Sequence, residues 1–271
     1  MTGTRARRRH EIEQQILQLG RRQLAESGAA ALSLRAVARE LNMVSSAVYR
    51  YVESRDELLT RLVVAAYDDL ADTVDEQLAA TTADPAERLA AAATAVRSWA
   101  VAHPAEFSLL YGSPVPGYHA PAERTGGPGT RVIGVLLRTL ADAENTAATS
   151  TAGTTPASPA TASPTTANFG PAPDAPLAGE LQAVADEFGA VLSPAAAMRA
   201  IAFWGWLIGA VGLEVAGGYG ADTFSDPQAA FQAQLSGQLA ALLGSGPDGA
   251  ASATEPTGGA TGTAAGRRRP S

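Results

Sequence analysis

Ser45, Ser46, Tyr49 and Arg50 fall on one side of a short apolar-patterned segment, and together they carry the chemistry that reads nucleic acid. Hydroxyl and phenol groups reach phosphates and base edges. A guanidinium can make a bidentate pair with guanine in the major groove. The same four side chains also suit an ordinary solvated helix face, so the choice depends on what surrounds them.

Charge is the first context. The chain has a net charge of -7, yet residues 1–61 hold eleven Arg against seven Asp and Glu, while residues 62–266 hold six Arg against twenty acids. An acidic protein with one basic end can neutralise phosphates there and keep the rest away from the duplex. Arg5, Arg7, Arg8 and Arg9 form a run at the N-terminus, read as a flexible arm over residues 1–9 that adds affinity without sequence preference. Such a run is also what a plain solvated tail looks like.

Other chemistries find little support. There is no cysteine and there are three scattered histidines, so neither thiolate nor histidine metal sites are expected, and no cofactor is expected either. His103 reads as held at a helix end, and Asp68-Asp69 as a solvated pair. All twenty basic residues are Arg, and Ala is abundant, a signature of a high-GC genome. No signal peptide opens the chain, and a cytoplasmic location without membrane association is expected. The apolar run Ile201–Leu213 is about thirteen residues long before Glu214, short of the roughly 20 that a membrane helix needs, and reads as a buried helix.

The stretch LSLRAVARELNMVSSAVYRYVESRDELL must position the four side chains. Leu34, Val37, Ala38 and Leu41 make an amphipathic face, with Ser33 placed to cap it. Asn42 tolerates the left-handed backbone of a tight turn, and the apolar pattern resumes at Val44, Val48, Tyr51 and Val52. Ser54 and Glu57 are spaced as a capping box that opens a long helix from Arg55 to about Ala80. Two short helices, a turn and a capped third helix are the helix-turn-helix arrangement.

Downstream, Asp84-Pro85 predicts a helix to about His103, followed by the short PAEFSLLYG segment and a Pro- and Gly-rich loop. A helix is expected from near Thr130 to near Ala143. Residues 145–176, nearly all Ala, Thr, Ser, Pro and Gly, read as a disordered insertion, and residues 244–271 as a tail of the same kind. Further helices are expected from Leu177, after Ser193-Pro194 and after Asp226-Pro227. Nothing alternates strand and helix, so the fold class is all-α.

Residues 10–62 resemble the DNA-binding domain of the TetR (AcrR) family of bacterial transcriptional regulators. The recognition-helix pattern is matched at Asn42, Met43, Val44, Val48-Tyr49, Arg50 and Tyr51-Val52, with Arg55 in the place of a Lys. The departures are Asn42 for Gly, Val44 for Ser, Tyr51 for His and Val52 for Phe. The resemblance implies that Ser33, Tyr51 and Arg55 hold the phosphate backbone, and that Arg35, Ser45, Ser46, Tyr49 and Arg50 face the groove. The strings WAVAHPAEFSLLYGSPVPGYHAPAERT and WGWLIGAVGLE resemble the C-terminal domain of a subgroup marked by a Trp, His, Gly signature, although Ile208-Gly209 stand where His-Gly is usual.

That second resemblance implies a domain, residues 63–243, that dimerises through its last two long helices and encloses a small-molecule cavity. Candidate cavity residues are Trp99, His103, Phe107, Tyr111, Tyr118 and Trp204, although aromatics at helical spacing also make plain core. Candidate interface residues are Gly205, Gly209 and Gly212, whose stripe admits a second helix, with Phe231, Leu235 and Leu239. The alternative is a monomer whose core takes in the helix. The function expected is a homodimeric transcriptional regulator, a repressor released from a palindromic double-stranded operator by a small-molecule effector. Two other classes remain open to the sequence: an architectural protein binding DNA without sequence preference, and a small helical enzyme using His103 and His119, for which the sequence offers no nucleophile elbow or phosphate loop.

Overall fold

A computed structural model describes residues 2–81, 84–152, 173–220 and 222–243. Among the described residues there are ten α-helices and one 3-10 turn, with no strand. In chain order they are α1 (Thr2–Ser27), the 3-10 turn (Ala29–Ala31), α2 (Leu34–Glu40), α3 (Ser45–Val48), α4 (Arg55–Ala79), α5 (Pro85–Ala102), α6 (Pro104–Tyr111), α7 (Ala122–Ala152), α8 (Ala175–Glu187), α9 (Pro194–Val215) and α10 (Pro227–Leu242).

Local capping sets most of the starts. Ser33, Ser54, Asp84, Asp174, Ser193 and Asp226 each accept a backbone N–H three residues on, satisfying one of the orphan donors of the helix they open. The Ser54 box is only half made. Its hydroxyl accepts from Glu57 N–H at 3.0 Å, but the Glu57 carboxylate turns to Arg61 and Arg124 instead.

Two apolar cores share α4. Ile16, Val37, Val48, Leu58, Leu59 and Leu62 close the first, between α1 and the helix-turn-helix. Leu70, Val74 and Leu78 enter the second, with Leu89, Val96, Leu137, Leu140, Leu207 and Val211. At 25 residues α4 is about 37 Å long, enough to traverse both. Gly20 brings α1 close to it: a Cβ there would stand 3.3 Å from Leu58 and Leu62 carbons.

Four expectations are corrected. Residues 2–9 are not a flexible arm but the first turns of α1, steadied by Arg7–Glu11 and Arg9–Glu13 ion pairs one turn apart. α7 begins at Ala122, not Thr130, and passes through Gly126, Gly127, Pro128 and Gly129. These breakers are overridden because Thr125 is buried and bonds Pro121 O, Arg124 pairs with Glu57, and Gly129 admits the Tyr67 ring, which an added Cβ would meet at 3.1 Å. The same helix runs to Ala152 and α8 starts at Ala175, so residues 145–152 and 174–176 of the expected insertion are ordered, while 153–172 and the tail from 244 lie outside the described residues. Finally, α9 is 22 residues long, long and apolar enough to cross a membrane by length and composition. Its Phe203, Leu207 and Val211 are nevertheless buried in the second core, which gives it a place inside the protein.

Candidate nucleic-acid interface

The turn between α2 and α3 is built as a C-terminal helix cap. Asn42 takes φ 53, its N–H donates to Arg39 O at 3.1 Å, and Met43 N–H donates to Ala38 O at 2.9 Å. This paired closure normally uses Gly at the left-handed position; Asn is the other side chain that tolerates it. α3 itself is shorter than expected. Beyond Val48 the chain continues in tighter turns, with Arg50 N–H to Ala47 O and Tyr51 N–H to Val48 O, before Val52 returns to the core.

With Val48 buried, Ser45 and Ser46 of α3 and the Tyr49 and Arg50 that follow it are exposed to solvent, as is Arg35 on α2. All five residues expected to face the groove are thus exposed to solvent. The three expected phosphate contacts divide. Tyr51 is half-buried, with the Arg9 guanidinium 5.6 Å over its ring and a second Arg9 bond to Arg50 O. Ser33 Oγ is occupied in accepting Ala36 N–H at 3.3 Å. Arg55 is corrected more strongly: it donates to Ala29 O at 3.0 Å and Ala30 O at 3.3 Å, and so fastens α4 to the 3-10 turn instead of reaching outward. One residue at this face was passed over. Val44, which stands where the family pattern has Ser, protrudes at 72% exposure next to Ser45, and only its exposure marks it.

The aromatic candidates of the second domain form a packed cluster rather than a cavity lining. Trp99 and Phe107 are buried, and the rings of Phe107 and Trp204 stand 5.2 and 6.0 Å from Tyr111. Burial pushes the Tyr111 phenol far above its ordinary range, with the charge of Tyr67 adding to it. His103 closes α5, its Nδ1 at 3.0 Å from Trp99 O and its ring stacked on the indole. Asp69 is no solvated carboxylate, since Trp99 Nε1 donates to it at 2.8 Å; Asp68 pairs with Arg131. Tyr118 lies away from this group, against the first core.

Comparison with known proteins agrees with this geometry. Residues 16–62 match the family model of bacterial regulatory proteins of the tetR type, and residues 89–237 match the tetracyclin repressor-like C-terminal domain. The chain is 46% identical over 233 residues to the HTH-type transcriptional regulators Rv1816 of Mycobacterium tuberculosis and Mb1846 of Mycobacterium bovis, covering 86% of this chain and 92% of theirs. The solved regulatory protein SCO4313 superposes with a TM-score of 0.65 at 29% identity, over 86% of this chain and 98% of its own.

The chain belongs to the TetR family. It is a DNA-binding transcriptional regulator, with the helix-turn-helix at its N-terminal end and a helical C-terminal domain.

In this TetR-family regulator the outer faces of α9 and α10 are studded with small residues. An added Cβ at Gly205, Gly209 or Gly237 would meet no atom within 4 Å, and Ile201 and Leu213 are exposed on the same side of α9. Gly212 differs, facing Phe107 at 3.8 Å. Phe231 and Leu235, expected at an interface, are buried within the protomer at 3% and 1% exposure, because the apolar stripe of α10 is spent on α5 and α9. Leu239 is partly buried beside them. Sequence reasoning also missed two long-range contacts near the domain junction, Arg124 with Glu57 and Tyr118 with Thr60, separated by 67 and 58 positions in the chain. No local pattern signals such pairs.

Proposed function

We propose that this TetR-family regulator is a homodimeric repressor that binds a near-palindromic operator and is released from it by a small-molecule effector. The observation that carries the reading is the solvent-facing set Ser45, Ser46, Tyr49 and Arg50, on a short helix and the turn that follows it, held by a buried Val48 and a capped turn. Residues 10–62 act as the DNA-binding unit and residues 63–243 as the regulatory and dimerising unit. Arg50 pairs with a base edge, the hydroxyls take phosphates or base edges, and Val44 meets a thymine methyl. Arg5, Arg7, Arg8 and Arg9, on the first turns of α1, add attraction without sequence preference. Dimerisation through α9 and α10 is supported by their open small-residue faces, and a two-fold protein matches a palindromic site with half-sites about 34–36 Å apart or a multiple of that.

The test is selection of duplexes from a random library by the full chain, followed by anisotropy titration of the selected site. Arg50→Ala and Tyr49→Ala should each cost about 1–3 kcal/mol of operator affinity, while sedimentation shows an unchanged dimer. Recovery of no preferred site, or full affinity in both variants, sinks the reading in favour of binding without sequence preference.

A further inference from the structure

Tyr118 does two things at once. It lines a cleft of about 630 Å³ between α4, α6 and the segment leading into α7, and it bonds the second turn of α4. The cleft is walled by Val63, Tyr67, Leu110, Tyr118, His119 and Thr125. Among the described residues lining it there is no Asp, Glu or Arg. An ionic ligand would shed its water there without a counter-charge. Carbon surface with a few hydroxyl and imidazole groups instead suits an uncharged molecule of mainly apolar character.

The rim is tied to the DNA-binding domain at two points. Thr60 Oγ1 lies 3.0 Å from Asp56 O and 3.0 Å from the Tyr118 hydroxyl. The threonine proton goes to the carbonyl, so the tyrosine donates to Thr60. Arg124, two residues into α7, reaches the Glu57 carboxylate at 2.6 and 3.3 Å. Glu57 and Thr60 sit directly after the helix-turn-helix, on the turns whose Leu58 and Leu59 pack against it.

We propose that this cleft, and not the aromatic cluster around Trp99, is the effector site. It takes an uncharged, largely apolar small molecule carrying hydrogen-bonding groups, and its occupancy is communicated through the Tyr118–Thr60 and Arg124–Glu57 contacts. The inference rests on the reading of the chain as an effector-responsive regulator. A molecule seated against Tyr118 displaces the rim, and through the two ties it biases the first turns of α4. Because coupling between sites is reciprocal, operator binding must change affinity at the cleft by the same factor.

Nile red, an uncharged apolar dye that brightens on leaving water, probes the site in the full chain. It should bind saturably. Gly126→Phe places a side chain in the cleft, where an added Cβ meets nothing within 4 Å, and should raise the dye Kd roughly tenfold or more, about 1.4 kcal/mol. Gly127→Phe, equally open but outside the lining, should leave it unchanged and controls for folding and helix propensity. Saturating operator should shift the wild-type dye Kd about fivefold or more, and the Tyr118→Phe/Arg124→Gln protein should bind dye with no operator dependence. Absent saturable binding, equal Kd in Gly126→Phe and wild type, no operator dependence in wild type, or dependence that survives in the double variant would each overturn the inference. Failure of the underlying reading is separate and appears as absent specific operator binding in the dye-free titration.

Discussion

Arg97 is the sharpest test of how the regulatory domain is held together. Its side chain is 8% exposed and that of Glu214 18%. From α5 the guanidinium makes a forked pair with Glu214 on α9, with Nε 2.7 Å from Oε2, donates also to Gln228 on α10, and lies 5.5 Å over the Phe231 ring. Arg97→Met keeps the stem but strands a carboxylate in a mostly apolar setting. Breaking a buried pair from one side costs about 3–5 kcal/mol, and loss of the ring contact adds about 0.5–2 kcal/mol. The pair term alone, at about 2–4 °C per kcal/mol for a chain of this size, lowers Tm by roughly 6–20 °C.

The double variant Arg97→Met/Glu214→Leu separates a stranded charge from lost packing. An intact buried pair pays heavily in desolvation, so replacing both partners by apolar volume should recover most of the loss. Thermal and urea unfolding followed by circular dichroism, at matched protein concentration so that any self-association is held constant, reads both. A single variant within about 1 kcal/mol of wild type, or a double variant as weak as the single, refutes the reasoning.

Two further outcomes are expected. The Arg124 hydrogen bond holds the Glu57 carboxyl below its ordinary range, so this contact stabilises the fold fully above the unfolded value near ~4.3 and the stabilisation is lost as pH falls through the lower folded value. Unfolding curves of wild type and Arg124→Gln should therefore converge in acid and separate above about pH 5; a constant gap counts against the pairing. Gly209→Leu meets no atom of its own protomer, so it should leave the helical content intact while shifting the sedimenting species from dimer to monomer, and an undisturbed dimer would place the interface elsewhere.

What was legible in the sequence was local. Ser33, Ser54, Asp84, Ser193 and Asp226 announce their helices because a cap is an event between residues three apart. The left-handed turn at Asn42 could be read for the same reason. What misled was local evidence overruled by distant packing. Gly126 to Gly129 look like a loop until Tyr67 is found against Gly129 and Glu57 against Arg124. Arg55 stands where a phosphate contact is expected, yet the carbonyls of Ala29 and Ala30, over twenty residues away, take its guanidinium. Phe231 and Leu235 show an apolar stripe plainly, but the stripe does not say whether its partner is the same chain or another.

Under the proposed reading, the shared helix is the route by which a small change at the cleft would reach the operator. α4 is buried in both cores, so it cannot bend freely between Leu62 and Leu70 without opening one of them. It can still tilt as a body. For a helix of about 37 Å, a tilt of 5° about its far end moves the near end by roughly 3 Å, close to the ~3.4 Å rise of one base pair along a strand. In a two-fold dimer the displacements would add, so the spacing of the recognition helices would shift by about two base pairs. On the proposed reading, the cost would fall on the operator complex, where a misplaced Arg50 would lose its base and leave it unpaired. The ties from Tyr118 and Arg124 meet α4 at Thr60 and Glu57, close to that moving end, where a rim displacement of a few ångströms is transmitted most directly.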